Sequence, residues 1–160
     1  MPKLSYFGLI VSAAFFALTH APAQADEIVF NTGHTENCIE FSENYADCSG
    51  KSSGVCSDAN TYGGTMAGMA KCTRAELQFW EAKMAELVSV TEASSANSPK
   101  TEASAFKKMH DTWVDFRDAD CAYNSVNYGA EDSAIAIPLC KMNMTASQVQ
   151  YLEQILGEMK

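Results

Sequence analysis

The sequence lacks the ligand spacings of a structural zinc site. No C-x-x-C pair occurs among its six cysteines, and His34 and His110 do not form an H-x₃₋₅-H pair. An even number of cysteines in a short exported chain is typical of a disulfide framework. We therefore expect disulfides and no metal site. The residues concerned are Cys38, Cys48, Cys56, Cys72, Cys121 and Cys140.

Complete catalytic motifs are also missing. A G-x-S-x-G pattern occurs once, as "GKSSG" (Gly50–Gly54), but the sequence before it does not predict the strand that precedes the serine of a nucleophile elbow. The D-x-D-x-D-G order of a calcium loop does not occur around Asp115, Asp118 and Asp120, and a helix would splay these side chains apart. Nothing in the pattern indicates which two carboxylates would face each other across a glycosidic bond. The sequence therefore predicts a protein that is not an enzyme and has no cofactor.

Positive charge is scarce. The chain has 11 Lys and Arg residues against 20 Asp and Glu residues, which gives a formal net charge of −9. Nucleic acids and anionic membranes repel a protein of this charge, whereas a cationic protein attracts it. We expect no nucleic-acid partner and favour a cationic protein. These patterns do not determine the oligomeric state.

Long apolar runs are rare, and the one that occurs is near the beginning of the chain. Phe7–Leu18 is apolar, Lys3 precedes it, and Ala23–Ala25 supplies the small-x-small pattern of a signal-peptidase site. The run is shorter than the roughly 20 residues that span a bilayer. We expect residues 1–25 to be a secretory signal peptide cut after Ala25, no membrane span, and a periplasmic or secreted protein.

Two regions follow the signal. Residues 26–62 form a polar, cysteine-containing N-terminal extension, in which "IVF" could be a brief strand and "TENCIEFSENYADC" a helix opened by Thr35. Residues 63–160 have helical periodicity and form the main domain. Its first helix is expected from Thr65 to Glu92. The apolar face of that helix comprises Met66, Met69, Thr73, Leu77, Trp80, Met84 and Leu87.

Two more helices are expected after the connector "EASSANSPK". The second has Phe106, Met109, Trp113 and Phe116 on one face and ends near Gly129. The third begins at "TASQ" (Thr145–Gln148), which has the form of a capping box. The predicted fold is all-α: a small disulfide-stapled helical bundle with two long antiparallel helices and a short C-terminal helix.

The stretch "MHDTWVDFRDADCAY" is the most distinctive part of the sequence. On a helix, Trp113, Arg117 and Cys121 lie along one side with Phe116 beside them. The Arg117 guanidinium can stack on a ring while it pairs with Asp120, or with Glu76 or Glu81 of the facing helix. We interpret this stretch, with Asp118, as a structural helix–helix seam rather than as a catalytic site.

Residues 56–155 resemble the lysozyme inhibitor LprI-like family. The resemblance rests on "MHDTWVDFRDADC", on Cys140 and "YLEQIL" after it, and on "YGGTMAGMAKCTRAELQFWEAKMAEL" before it. The chain departs from the family at "AKMAEL", where Leu-Asn and a Tyr are usual. The resemblance implies the bridges Cys121–Cys140 and Cys56–Cys72. Cys38 and Cys48 then pair by elimination, although a continuous helix would place their sulfurs about 15 Å apart.

The resemblance also implies a function. An acidic, disulfide-stapled protein could bind lysozyme or another cationic protein and cover its cleft without any catalysis. The predicted loop Asn124–Ala134 is the candidate contact, with Tyr128, Glu131 and Asp132 as the residues to test. Two readings stay open beside it. The loop could be a plain helix connector, and the protein could be a periplasmic structural or interaction module that does not inhibit lysozyme.

Overall fold

The computed structural model describes residues 28–60, 62–94 and 100–158. The expected signal peptide lies outside these residues. Within them the chain is all-α and contains no strand, so Ile28–Phe30 has no regular structure. No helix in these ranges combines the length and apolar character needed to cross a membrane. The elements are α1 (Gly33–Phe41), a 3₁₀ turn (Tyr45–Cys48), α2 (Lys51–Ala59), α3 (Met66–Ser94), α4 (Lys100–Asn124) and α5 (Ala130–Glu158).

The core lies mainly between α3 and α5, which make the most extensive helix contact in the described chain. These two helices run in the same direction, because Arg74 contacts Ala134 near their beginnings and Lys83 contacts Glu153 further along. Burial of each large apolar side chain contributes about 1.5–3 kcal/mol. The buried cluster comprises Cys48, Leu77, Trp80, Met84, Met142, Ala146, Val149 and Leu152.

Helix α4 runs opposite to α5. Its Arg117 contacts Thr145, whereas Cys121, four residues further along α4, is bonded to the earlier Cys140 of α5. Since α3 and α5 are parallel, α4 is antiparallel to both. The expected bundle with long antiparallel helices is therefore confirmed.

The predicted short C-terminal helix is wrong: α5 begins at Ala130 and passes through Pro138. A proline inside a helix leaves the carbonyl of residue i−4 without its backbone donor. Here the Arg74 Nη1 of α3 donates to that carbonyl, on Ala134, at 3.3 Å. "TASQ" therefore lies inside the helix. The Thr145 hydroxyl donates to the Lys141 carbonyl at 2.7 Å instead of capping a helix.

The stretch "TENCIEFSENYADC" is not one continuous helix opened by Thr35. It contains most of α1, which already begins at Gly33, and the 3₁₀ turn. Helix α1 ends at Phe41, and an extended Ser42 separates it from the 3₁₀ turn. This break removes the distance problem of the Cys38–Cys48 bridge, whose Cα atoms lie 5.5 Å apart. Helix α2 follows Gly50, which has a φ of +88° and therefore a conformation that favours glycine.

A buried carboxylate joins this extension to the bundle. Glu76 of α3 is fully buried and accepts hydrogen bonds from the Thr35 hydroxyl at 2.8 Å and the Gly50 N–H at 2.9 Å through Oε1. Its Oε2 accepts from the Ser53 N–H at 2.6 Å. The amides of Gly50 and Ser53 belong to the beginning of α2, so Glu76 satisfies donors that the helix cannot pair internally and places a negative charge at its positive end.

Three disulfides join the six cysteines, and none is free. The pairs are Cys38–Cys48, Cys56–Cys72 and Cys121–Cys140, the expected connectivity. The first lies within the extension, the second joins α2 to α3, and the third joins α4 to α5. Three bridges in a chain of this size indicate an oxidising compartment.

Candidate interaction surface

The connector between α4 and α5 is shorter than expected. It spans residues 125–129 instead of Asn124–Ala134. The Val126 N–H donates to the Tyr123 carbonyl at 3.1 Å, and the Tyr128 N–H donates to the Ser125 carbonyl at 3.0 Å. Ser125 is buried beneath these turns. The connector therefore presents its outward side chains from a fixed backbone.

The Cys121–Cys140 bridge holds the base of this connector. It fixes the Cα atoms of the last full turn of α4 and the third turn of α5 at 5.6 Å. A hollow of about 260 Å³ lies beside the bridge, with Tyr128 and Leu139 among its lining residues. The bridge thus sets the relative position of the two helix ends that carry the surface.

Four large apolar side chains around the connector line one shallow hollow of about 330 Å³ together with Ala136 and Asp132. We call this group the connector patch: Met66, Tyr128, Ile135 and Leu139. Tyr128 is 55% exposed and Leu139 is 40% exposed, and Val126 on the same connector is 71% exposed. Exposed apolar side chains gathered on one surface are typical of protein-binding sites.

Glu131 and Asp132 flank the connector patch from the first turn of α5, not from a loop. Both are exposed. Negative side chains at this position stabilise a helix through its dipole, which gives them a structural role independent of any partner. Glu131 also lines a neighbouring hollow of about 340 Å³ with Lys71 and Arg74 of α3. Tyr128 and Asp132 therefore line the same hollow, whereas Glu131 lines the neighbouring one, and Met66 is common to both.

Sequence reasoning missed the contributions of α3 and the middle of α5 to this surface. Met66 was expected on the core face of its helix, but it is 36% exposed and faces the connector. Leu139 precedes the third helix expected from "TASQ" onward, so no helical surface was predicted there. Their grouping depends on the packing of α3 beside α5, which the local pattern did not reveal.

Arg117 lies at the centre of the helix–helix seam behind this surface. It is 5% exposed and its guanidinium lies over the Trp113 ring, 5.5 Å from the ring centroid. It pairs with Asp118 at 2.9 Å and with Glu81 of α3 at 3.3 Å, and it donates to the Thr145 hydroxyl at 2.9 Å. Of the expected partners only Glu81 is used. One side chain therefore connects α3, α4 and α5, as a structural seam requires.

Asp118 is held in its charged form by two cations. Partial burial by itself raises its pKa, but hydrogen bonds from Lys141 and Arg117 more than offset this and leave the pKa below its ordinary value of 3.8. The Lys141 ammonium lies 3.0 Å from Asp118 Oδ1. The carboxylate thus contributes to the α4–α5 contact as long as it is ionised.

Phe116 was expected in the helix–helix seam but does not belong to it. It was placed on the core face with Trp113, but its side chain is 59% exposed. Successive helical residues are about 100° apart, so Phe116 is rotated away from the buried Arg117. It lies on the outer face of α4 and is available for contacts outside the chain.

One group of potential metal ligands occurs in the described part of the chain: Asp120, Cys121 and Cys140. Both sulfurs belong to the same disulfide, so they cannot act as thiolate ligands. Asp120 alone would be left, and its Oδ2 accepts a hydrogen bond from Asn124 at 3.1 Å. The group supports a structural role and not a metal centre.

Together these features define a small all-α protein with three disulfides and an ordered, apolar surface bordered by carboxylates. The chain belongs to the family described as lysozyme inhibitor LprI, whose model matches residues 56–152. The match runs from Cys56 in α2 to Leu152 in α5, so α1 and the Cys38–Cys48 bridge lie outside it. No curated protein and no solved structure matches the chain.

Proposed function

We propose that this protein is an exported inhibitor of lysozyme that acts by binding the enzyme. The family match over residues 56–152 carries the proposal, because the family is described by this inhibition. Inhibition of this kind needs no catalytic group: a protein that covers the cleft of an enzyme blocks access of its substrate. The connector patch, with Glu131 and Asp132 beside it, is the proposed contact.

The net charge and the apolar connector patch would contribute to binding in different ways. A net charge of −9 attracts a cationic enzyme from a distance and raises the association rate. The apolar side chains of the connector patch then lose contact with water in the complex, which supplies affinity that salt does not screen. Because the disulfide and the turns already fix the connector, little conformational entropy is lost on binding.

The proposed compartment is the periplasm or the exterior of the cell. Three disulfides suit an oxidising environment. Residues 1–25 have the composition of a secretory signal, with cleavage expected after Ala25. Mass spectrometry of the exported protein tests this directly, and a mature chain that begins at Asp26 is the expected result.

The contact is tested with the double variant Glu131→Gln/Asp132→Asn in a lysozyme lysis assay. At physiological salt, the inhibitor concentration needed for half inhibition should rise about tenfold, since each exposed charge contributes roughly 0.5–1 kcal/mol at a contact. The matched control is Glu36→Gln/Glu40→Gln, which removes two exposed charges from α1. This control should remain within about twofold of the unmodified protein.

The outcomes separate the competing readings. Equal effects of the two double variants would show that net charge, and not the connector, determines inhibition. Inhibition that occurs only at low salt would indicate non-specific charge pairing. Absence of inhibition at both salt concentrations would contradict the proposed function and favour an interaction module that does not inhibit lysozyme.

A further inference from the structure

The outer face of α4 carries a pair of exposed aromatic side chains. Phe116 is 59% exposed and Tyr123 is 76% exposed. They are seven residues apart, so they lie on nearly the same side of the helix with their Cα atoms about 10.5 Å apart along its axis. Ala119, also exposed, lies between them. We call Phe116, Ala119 and Tyr123 the notch, because a small side chain separates the two rings along the helix.

A carboxylate borders this notch. Asp120 follows Phe116 by four residues and precedes Tyr123 by three, which places all three side chains on adjoining positions of one helical face. Its Oδ2 accepts a hydrogen bond from Asn124 at 3.1 Å. A carboxylate can accept about four hydrogen bonds, so Asp120 retains the capacity to bind a second donor.

Acidic residues outnumber cations in the sequence around the notch. From Asp111 to Asp132 the only Lys or Arg residue is Arg117, which is 5% exposed and already paired. Of the six carboxylates in this range, Asp111 pairs with Lys107, and Asp118 pairs with Arg117 and Lys141; the others are Asp115, Asp120, Glu131 and Asp132. This part of the surface therefore favours a cationic ligand.

We propose that Phe116, Asp120 and Tyr123 form a recognition site for an arginine or lysine side chain of a cationic partner protein. The cation lies between the two rings, whose faces attract positive charge, and it pairs with Asp120. The inference deepens the proposed function and rests on it for the identity of the partner. A second copy of the chain is a poor occupant, because two acidic faces repel each other.

The notch adjoins the proposed contact surface. The Val126 N–H donates to the Tyr123 carbonyl at 3.1 Å, so the exposed ring of Tyr123 and the exposed side chain of Val126 are linked through one turn. A partner that covers the connector would therefore meet the notch at its edge. The apolar part of the contact and the cation-binding part would form one surface.

The test for cation binding replaces the two aromatic side chains with leucine. The variant Phe116→Leu/Tyr123→Leu keeps apolar side chains but removes the ring faces, and Asp120→Asn removes the charge. The probe is a hexa-arginine peptide, with binding measured by NMR titration of the disulfide-bonded protein. The leucine variant should bind about tenfold more weakly, because two ring contacts with a cation together account for a change of this size. Asp120→Asn should bind about three- to fivefold more weakly, because it removes one charge.

Two matched controls test whether the effect is local. Phe41→Leu replaces a 77% exposed aromatic residue on α1. Asp58→Asn removes an exposed charge from α2. Both controls should bind the peptide within twofold of the unmodified protein. Binding by the leucine variant that equals that of the controls would overturn the recognition site.

Lysozyme inhibition provides a separate readout of the proposed function. If the unmodified protein inhibits lysozyme and the leucine variant inhibits it equally well, the notch is not part of the contact. The recognition site is then wrong, while the proposed function still holds. If the unmodified protein does not inhibit lysozyme, the proposed function fails. The peptide titration still decides, in that case, whether the notch binds a cationic side chain.

Discussion

Glu76 attaches the N-terminal extension to the bundle in addition to the Cys56–Cys72 bridge. Its carboxylate accepts hydrogen bonds from Thr35, Gly50 and Ser53, and it is fully buried. The sequence offered Glu76 only as a partner of Arg117 across the seam. Its actual role depends on where α2 begins, and α2 has few apolar residues and no periodic pattern that would have located it.

Glu76→Gln should lower the free energy of unfolding by about 2–3 kcal/mol, because the amide group keeps the shape but presents donors to backbone donors. Urea denaturation measures the change. Glu86→Gln, at an exposed position of the same helix, is the matched control and should alter stability by less than about 0.5 kcal/mol. A loss no larger than that of the control would show that the Glu76 hydrogen bonds do not stabilise the fold.

Asp118 makes the stability of the seam depend on pH. Its pKa in the folded protein lies below its ordinary value of 3.8, so the folded state favours the ionised form. The resulting stabilisation is fully present above the ordinary pKa and disappears as the pH falls through the folded-state pKa. Urea midpoints of the unmodified protein and of Asp118→Asn should therefore converge as the pH falls from 5 toward 2.5. A difference that stays constant over this range would contradict the assignment.

At the scale of the helices, periodicity predicted α3 and α4 well but failed for α5. The buried Leu77, Trp80 and Met84 recur at helical spacing, and such repetition over several turns is a strong signal. The helix start expected at "TASQ" was wrong: α5 continues through Pro138, where Arg74, 64 residues earlier in the chain, supplies the donor that the helix lacks at Ala134. A contact between residues so far apart in the chain cannot be predicted from the local sequence.

The Cys121–Cys140 bridge should affect both stability and binding. Replacing both cysteines with alanine should reduce the free energy of unfolding by about 3 kcal/mol, given a sequence separation of 19 residues. It should also weaken lysozyme inhibition, because the connector is then less well fixed. Calorimetry and the lysis assay measure the two effects.

Removal of the Cys38–Cys48 bridge is the matched comparison, since this bridge lies in the extension and far from the connector in sequence. It should reduce stability without weakening inhibition, at a temperature where both variants remain folded. If the two variants inhibit equally, the connector does not need the bridge for binding.

For the whole molecule, composition and one motif predicted a class of partner, whereas the proposed contact surface could be predicted only in part. The excess of carboxylates indicated a cationic partner, and the motif around Trp113 and Cys121 indicated the family. The surface itself could not be predicted in full, because it combines Met66 of α3, Tyr128 of the connector and Leu139 of α5. These residues meet only after α3 and α5 pack side by side, and such long-range packing leaves little trace in local periodicity.

Hydrogen–deuterium exchange of the protein, alone and with lysozyme at physiological salt, tests the central claim most directly. If the end of the α4–α5 hairpin binds the enzyme, exchange should slow in the range 116–139, which includes the notch and the connector, and should not change in α1. Protection confined to α1 and α2, or no protection at any position, would contradict the proposed contact.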